Sequence, residues 1–264
     1  MTTFKHVLTA AILAILTSVA VIADDVAKPA QNELRVLCYN IHVGIGNDNK
    51  LDLERTAKVI TAQKPDIVAL QEVDNKANRT KNVDQAAELA RLTGMYSAHG
   101  KTIDIAGGEY GIAILSKYPI LEHKITQLPK LDKQEDRGAL QAKLDLGNDK
   151  TLLFVCTHFC HVSEERRTMQ AEKINELFAD LDGPVIVAGD FNATPDSKTI
   201  ETMKAKWADA TNDKPTFSSD RPRMKIDYIF YRPAEQFRVK ETQVLEEPVA
   251  SDHSPVLSVL EFVN

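Results

Sequence analysis

Nine short runs of apolar and β-branched residues recur along this chain: "LRVLCYNI", "DIVALQEV", "YGIAILS", "ALQAKLDL", "TLLFVCTHF", "PVIVAGDF", "KIDYIFY", "FRVKETQVL" and "SPVLSVLEFV". Several are apolar throughout instead of alternating. A strand of that kind must be covered on both faces, and this requirement constrains the fold more than any other feature. The cover is supplied by "DLERTAKVITAQ", which stops before Pro65, "NVDQAAELARLTG", which ends on Gly94, and "SEERRTMQAEKINELFADL", all of which carry helical periodicity. The stretch "LDLGNDKTLL" joins two strands through Gly-Asn-Asp, a hairpin signal, so the sheets are mixed. The economical architecture is an α/β layered sandwich with sheets inside and helices outside.

The strands stop in an unusual way. "LRVLCYN" ends on Asn40, "DIVALQE" on Glu72, "LLFVCTH" on His158, and "PVIVAGDFN" on Asp190 and Asn192. In an extended chain Asp190 and Asn192 look the same way and Phe191 the other. Alone, Gly189, Asp190 and Asn192 read more readily as an ordinary turn than as a site. Asp227 lies inside the apolar "KIDYIFY", where a carboxylate is costly unless paired, so it predicts a partner, a histidine being a good one. Ser251-Asp252-His253 precede the last strand. Each of these residues alone has a bland reading as a turn former, a solvated acid or a core histidine. Together, Asn, Asp, Glu and His at successive strand ends are the groups a hard divalent cation and a phosphate require.

The N-terminus reads Lys5, His6, an apolar stretch to Ala23, then Asp24-Asp25. A cation, an apolar run and small residues at Val21 and Ala23 predict a secretory signal over residues 1–23, with an uncleaved anchor as the alternative. A flexible tail is expected over 24–33 and one domain over 34–264, exported to the periplasm or the medium. Lysine and arginine total 32 against 38 acidic residues, a formal charge of −6. That balance argues against tight sequence-independent binding of nucleic acid through its phosphates. Cys38, Cys156 and Cys160 are an odd set from which no disulfide framework follows. Cys156, His158, Cys160 and His161 offer zinc-type ligands, but they crowd one strand instead of spacing around a loop.

"YNIHVGIG" with "DLERTAKVI", "PDIVALQEVD" with "NRT", "YGIAILSKYPI", "THF", "GDFNATP", "KIDYIF" and "SDHSPV" follow one another in the order seen in the endonuclease/exonuclease/phosphatase superfamily. The chain resembles that superfamily from about Leu34 to Phe262. Its branches include pancreatic-type deoxyribonuclease, abasic-site endonucleases, sphingomyelinases and inositol-polyphosphate 5-phosphatases. The resemblance implies a four-layer αββα sandwich of two mixed sheets flanked by helices, and metal-dependent hydrolysis of a phosphate ester. Residue by residue it makes Glu72 the principal Mg²⁺ ligand, with Asn40 beside it and Asp252 completing the shell; Mn²⁺ or Ca²⁺ are the alternatives. Asp190 would orient or deprotonate the attacking water, Asn192 hold a phosphoryl oxygen, and Asp227 pair with His253. His158 resembles the second histidine of the deoxyribonuclease and sphingomyelinase branches. The sequence leaves open which histidine is base and which acid. Arg79, His42 and Arg137 lie near motifs and are either phosphate or head-group contacts or solvated surface charge.

Glu109-Tyr110-Gly111 departs from the abasic-site branch, which also lacks a counterpart of His158, and this argues against DNA repair. The expected substrate is a small or lipid-linked phosphodiester or phosphomonoester. A secreted nuclease is second, and a non-catalytic binding module on the same scaffold is third, disfavoured because every ligand is present. A monomer without an obligate protein partner is expected.

Overall fold

The computed structural model describes residues 32–131 and 133–263, so the expected signal segment lies outside the described residues. Twelve strands and four α-helices follow one another: β1 (Glu33–Asn40), α1 (Leu53–Ala62), β2 (Ile67–Asn75), α2 (Gln85–Thr93), β3 (Tyr96–Ile105), β4 (Gly108–Ser116), β5 (Ile120–Gln127), β6 (Gly138–Gly147), β7 (Lys150–His158), α3 (Glu164–Phe178), β8 (Val185–Asp190), α4 (Lys198–Lys204), β9 (Ala208–Asp209), β10 (Asp227–Arg232), β11 (Phe237–Val244) and β12 (Val256–Phe262). They form two six-stranded sheets, ordered β11-β12-β1-β2-β4-β3 and β5-β6-β7-β8-β10-β9. Each sheet has one parallel pair, β1 with β2 and β7 with β8, and the other pairings are antiparallel. Among the described residues no helix is long and apolar enough to cross a membrane.

Three apolar layers account for the uninterrupted hydrophobic runs. Val36, Cys38, Ala69, Phe154, Cys156, Ile186, Ala188 and Ile229 fill the space between the sheets. The alternate residues face outward: Leu37, Tyr39, Val68 and Leu70 pack under α1 and α2 with Ala57, Ile60 and Leu89, whereas Val155, Val187, Tyr228 and Phe230 pack with Ala171, Ile174 and Ile200 from α3 and α4. The order helix, sheet, sheet, helix is the four-layer sandwich that the resemblance implied. Each helix starts on a side-chain cap, with Asp52, Asp84, Ser163 and Ser197 accepting from the backbone N–H three residues on.

The apolar pattern missed β3, β5, β9 and α4. Strand β5 is an edge whose side chains are mostly exposed, so no apolar face marks it. Strands β3 and β4 make a hairpin turning at Ala106 and Gly107, both at positive φ. In the layer beneath β8, Phe191 lies 4.7 Å from Phe159, 5.2 Å from Phe230 and 5.6 Å from Tyr228, ring centre to ring centre. Because Phe191 is fully buried there, Phe191→Ala is expected to cost about 3–5 kcal/mol of unfolding free energy, checked by urea denaturation.

Candidate active site

Side-chain parity builds the site. In β1, Val36 and Cys38 face the other sheet and Asn40 is next in that series. In β7 the series is Phe154, Cys156, His158; in β8 it is Ile186, Ala188, Asp190; in β10, Ile229 leads back to Asp227. At one rim, then, the apolar layer between the sheets gives way to Asn40, His158, Asp190 and Asp227, all buried. His158 pairs with Asp190 across the β7–β8 ladder and Asp227 with Asp190 across β10–β8. Gly189 permits this approach, because a Cβ there would sit 2.2 Å from the Thr157 carbonyl oxygen.

Glu72 has the wrong parity. Ile67, Ala69 and Gln71 make the inward series of β2, and Gln71 does point inward, its Nε2 donating to Cys156 Sγ at 3.3 Å. A bulge between Gln71 and Val73, with Glu72 at φ +56°, swings the carboxylate to the rim, where Oε1 accepts from Asn40 Nδ2 at 3.1 Å.

Asp190 is the hub. Its Oδ2 accepts from Asn40 Nδ2 at 3.2 Å and lies 3.4 Å from His158 Nε2 and 3.6 Å from His253 Nε2. Its Oδ1 accepts the Asn192 backbone N–H at 2.8 Å. The "VAGDFNA" stretch is thus both a turn and part of the cluster: Asn192 sits at φ +50° and its Nδ2 donates to the Phe159 carbonyl at 3.1 Å. Asp227 has the histidine partner that its burial demands, His253 Nδ1, at 2.9 Å.

The two histidines differ in charge. Burial, then the Arg137 cation and His253, hold His158 well below the ordinary imidazole value. Arg137 Nη1 donates to His158 Nδ1 at 2.9 Å, so the neutral ring carries its proton on Nε2, toward Asp190. For His253, burial acts downward, but Asp227 and Asp190 outweigh it and lift the ring from 6.5 to about 10. Burial pushes the Asp190 carboxyl up despite the His253 charge.

The remaining expected residues fall in different places. Arg137 is buried, not a surface charge: Nη2 reaches His161 Nδ1 at 3.3 Å and Nη1 also meets Glu135 at 3.2 Å. Arg79 is held by Asp74, with Nε and Nη2 donating at 2.8 and 2.7 Å, so those two donors face the protein and not a ligand. His42 Nδ1 contacts the Ile45 carbonyl at 3.0 Å, leaving Nε2 free. Asn40 turns its nitrogen to the two carboxylates, orienting Glu72 and Asp190, and its oxygen to the His42 N–H at 3.0 Å, with a second lone pair on that oxygen to spare. The zinc-type set does not converge: Cys156 contacts Gln71, Cys160 lies beside Arg166, and His158 and His161 are held by Arg137. All three cysteines are free thiols.

Two residues escaped the sequence. Ser251 Oγ donates to the Asn40 carbonyl at 2.7 Å, joining the loop of Asp252 and His253 to β1. Thr216 Oγ1 accepts the backbone N–H groups of Ile226 and Asp227 at 3.2 and 3.3 Å, and its carbonyl accepts from Ser254 at 2.8 Å, bracing both ends of the Asp227–His253 pair. Nothing in "KPTFS" marks that role.

A hard cation fits this donor set. Glu72 and Asp252 have no basic partner among the described residues: Glu72 accepts from Asn40, and Asp252 has Ser251 Oγ at 3.4 Å, whose one proton points to the closer Asn40 carbonyl. Ligand atoms of Asp190, Asp227 and His253 also lie within 4.8 Å of one another. Asp227 and His253 are already bonded to each other, and a cationic imidazole repels a metal, so Glu72 is the better anchor.

A histidine whose pKa is higher folded than unfolded stabilises the fold fully below about 6.5 and loses that contribution as pH climbs toward 10. The raised Asp190 carboxyl acts in the same direction. In chelator, Tm is therefore expected to fall from pH 6.5 to 10, and Asp227→Asn to flatten that fall; calorimetry across the range checks it.

Comparisons with known proteins agree with this fold. The Escherichia coli K12 protein YbhP is 29% identical over 249 residues, covering 86% of this chain and 95% of its own. The crystal structure of an endonuclease/exonuclease/phosphatase from Bacteroides vulgatus superposes with a TM-score of 0.72 at 27% identity, over 88% of this chain and 99% of that one. The mannosyl-6-phosphatase of Bacteroides thetaiotaomicron shares the fold at TM-score 0.70 and 21% identity, over 88% and 100% of the two chains. The model of the Endonuclease/Exonuclease/phosphatase family matches residues 37–253, a span that holds every residue of the cluster around Asp190, and the chain belongs to that family of metal-dependent phosphate-ester hydrolases.

Proposed function

We propose that the chain is an exported Mg²⁺-dependent phosphoesterase that hydrolyses a small or lipid-linked phosphate ester by in-line attack of water. The observation that carries this reading is the convergence of Asn40, His158 and His253 on one Asp190 oxygen beside the unpaired Glu72. Asp190, with its carboxyl raised by burial, orients and deprotonates the water. His253, cationic against Asp227, stabilises the charge that develops on phosphorus-bound oxygen. His158 keeps Nε2–H toward the same locus as a neutral donor, and Asn192 retains a second amide proton for a phosphoryl oxygen. A divalent cation held by Glu72 and Asp252 neutralises substrate charge when bound.

The acidic balance of the chain favours a small ester over duplex DNA. Nuclease activity is the second reading, supported by His158, which the deoxyribonuclease branch shares. The export reading rests on the pattern from Lys5 to Asp25.

A hydrolysis panel of plasmid DNA, bis-p-nitrophenyl phosphate, p-nitrophenyl phosphate, sphingomyelin and phosphoinositides tests the assignment. Turnover of at least one is expected with Mg²⁺, lost with chelator, and lowered about 10²- to 10⁴-fold by Glu72→Ala or His253→Ala while circular dichroism is unchanged. Near-normal rates in either variant overturn it. Intact-mass analysis of the protein recovered outside the cytoplasm is expected to find a chain starting at Asp24; a full-length chain confined to the cytoplasm overturns export.

A further inference from the structure

Beyond the residues around Asp190 lies a cleft of about 490 Å³, bordered on its inner side by His253 and Asn192. Its volume is in the range of small-molecule sites. An organic group on a phosphate held at Asp190 has this cleft within reach.

The two walls are chemically unlike. One is apolar: Phe217, whose ring lies 4.9 Å from that of His253, the buried Ile226, and Met224, which is left 41% exposed. The other carries Glu164 and Arg167 from the first turn of α3, and Asp196 from the segment before α4. Each polar group is fixed by its own chain and keeps capacity to spare. Glu164 Oε1 accepts the Lys198 N–H at 2.9 Å, leaving Oε2 free. Asp196 Oδ1 accepts from Thr194 Oγ1 at 2.6 Å, leaving Oδ2 free. Arg167 Nη1 donates to the carbonyls of Cys160 and His161 at 3.1 and 3.2 Å, while its Nε–H is buried without a partner.

These walls exclude two kinds of ester. A second phosphate would face two carboxylates against one guanidinium. An acyl chain would strip water from those carboxylates and from Arg167 without replacing it. What fits is a neutral ring with hydroxyls toward one wall and C–H groups toward the other. We infer that this cleft is a subsite for a polyol, a sugar or inositol-type ring, and that Glu164, Arg167 and Asp196 select esters carrying one. Because the side chains are already held, little ordering entropy is lost on binding.

The inference rests on the phosphoesterase reading, and the experiment separates the two. Initial rates are measured with Mg²⁺ on glucose 6-phosphate and glycerophosphoinositol, a monoester and a diester that carry a polyol. Their counterparts without hydroxyls are the aryl esters p-nitrophenyl phosphate and bis-p-nitrophenyl phosphate. The polyol ester of whichever class is hydrolysed is expected to have the lower KM, since the aryl leaving group raises kcat on its own chemistry. Asp196→Asn and Glu164→Gln are each expected to lower the polyol-to-aryl ratio of kcat/KM by about 10-fold or more, as loss of a charged hydrogen bond to a hydroxyl would. Either variant suffices if the other does not fold. Glu72-dependent hydrolysis of the aryl esters with no lower KM for the polyol ester, or with an unchanged ratio in the variants, overturns the subsite and leaves the phosphoesterase assignment standing. Absence of Glu72-dependent turnover on all four overturns the subsite, and absence on the DNA and lipid substrates as well overturns both.

Discussion

Two sheets packed face to face, each with helices on its back, leave no solvent-facing side on their central strands. Polar chemistry is therefore confined to strand ends. Val36, Cys38 and Asn40, or Phe154, Cys156 and His158, show the consequence: the same two-residue period that fills the interior carries straight on into the polar cluster. The cluster inherits the rigidity of the layer beneath it. Asn40 belongs to one sheet, His158, Asp190 and Asp227 belong to the other, and the loop of His253 enters from the first. Their mutual distances consequently report how the two sheets are seated on each other.

Charge is distributed within this cluster by the fixed partners of each group. Two imidazoles lie at similar distances from Asp190 Oδ2, 3.4 and 3.6 Å, yet one is neutral and one cationic. The difference comes from what touches the far nitrogen: a guanidinium at His158 Nδ1, a carboxylate at His253 Nδ1. Two copies of one residue type thereby acquire different functions, a neutral donor and a fixed positive charge, around one acid.

Much of this was legible in the residues. The apolar runs specified a layered sandwich, and the need of Asp227 for a partner was met by His253. What was not legible had local causes. Strand β5 lies at an edge, so its residues carry no burial pattern, and the seven residues of α4 are too few for a periodic signal. Arg137 looks like surface charge in "EDRGA" because burial of a cation is decided by partners distant in sequence, here His158 and His161. Thr216 acts through backbone groups of residues ten or more positions away, and such contacts leave no trace in composition.

The bulge at Glu72 has a consequence in the reading frame of the strand. An uninterrupted β2 ladder would carry the inward series from Gln71 on to Val73 and turn Glu72 toward α1 and α2, into an apolar layer where a carboxylate has no partner. One extra residue in the ladder separates the two outcomes. The acid at the rim is encoded as much by a count of residues between Leu70 and Val73 as by the identity of residue 72. Insertions and deletions in that short interval act as chemical substitutions, changing which side chain the site contains without altering any letter on either side.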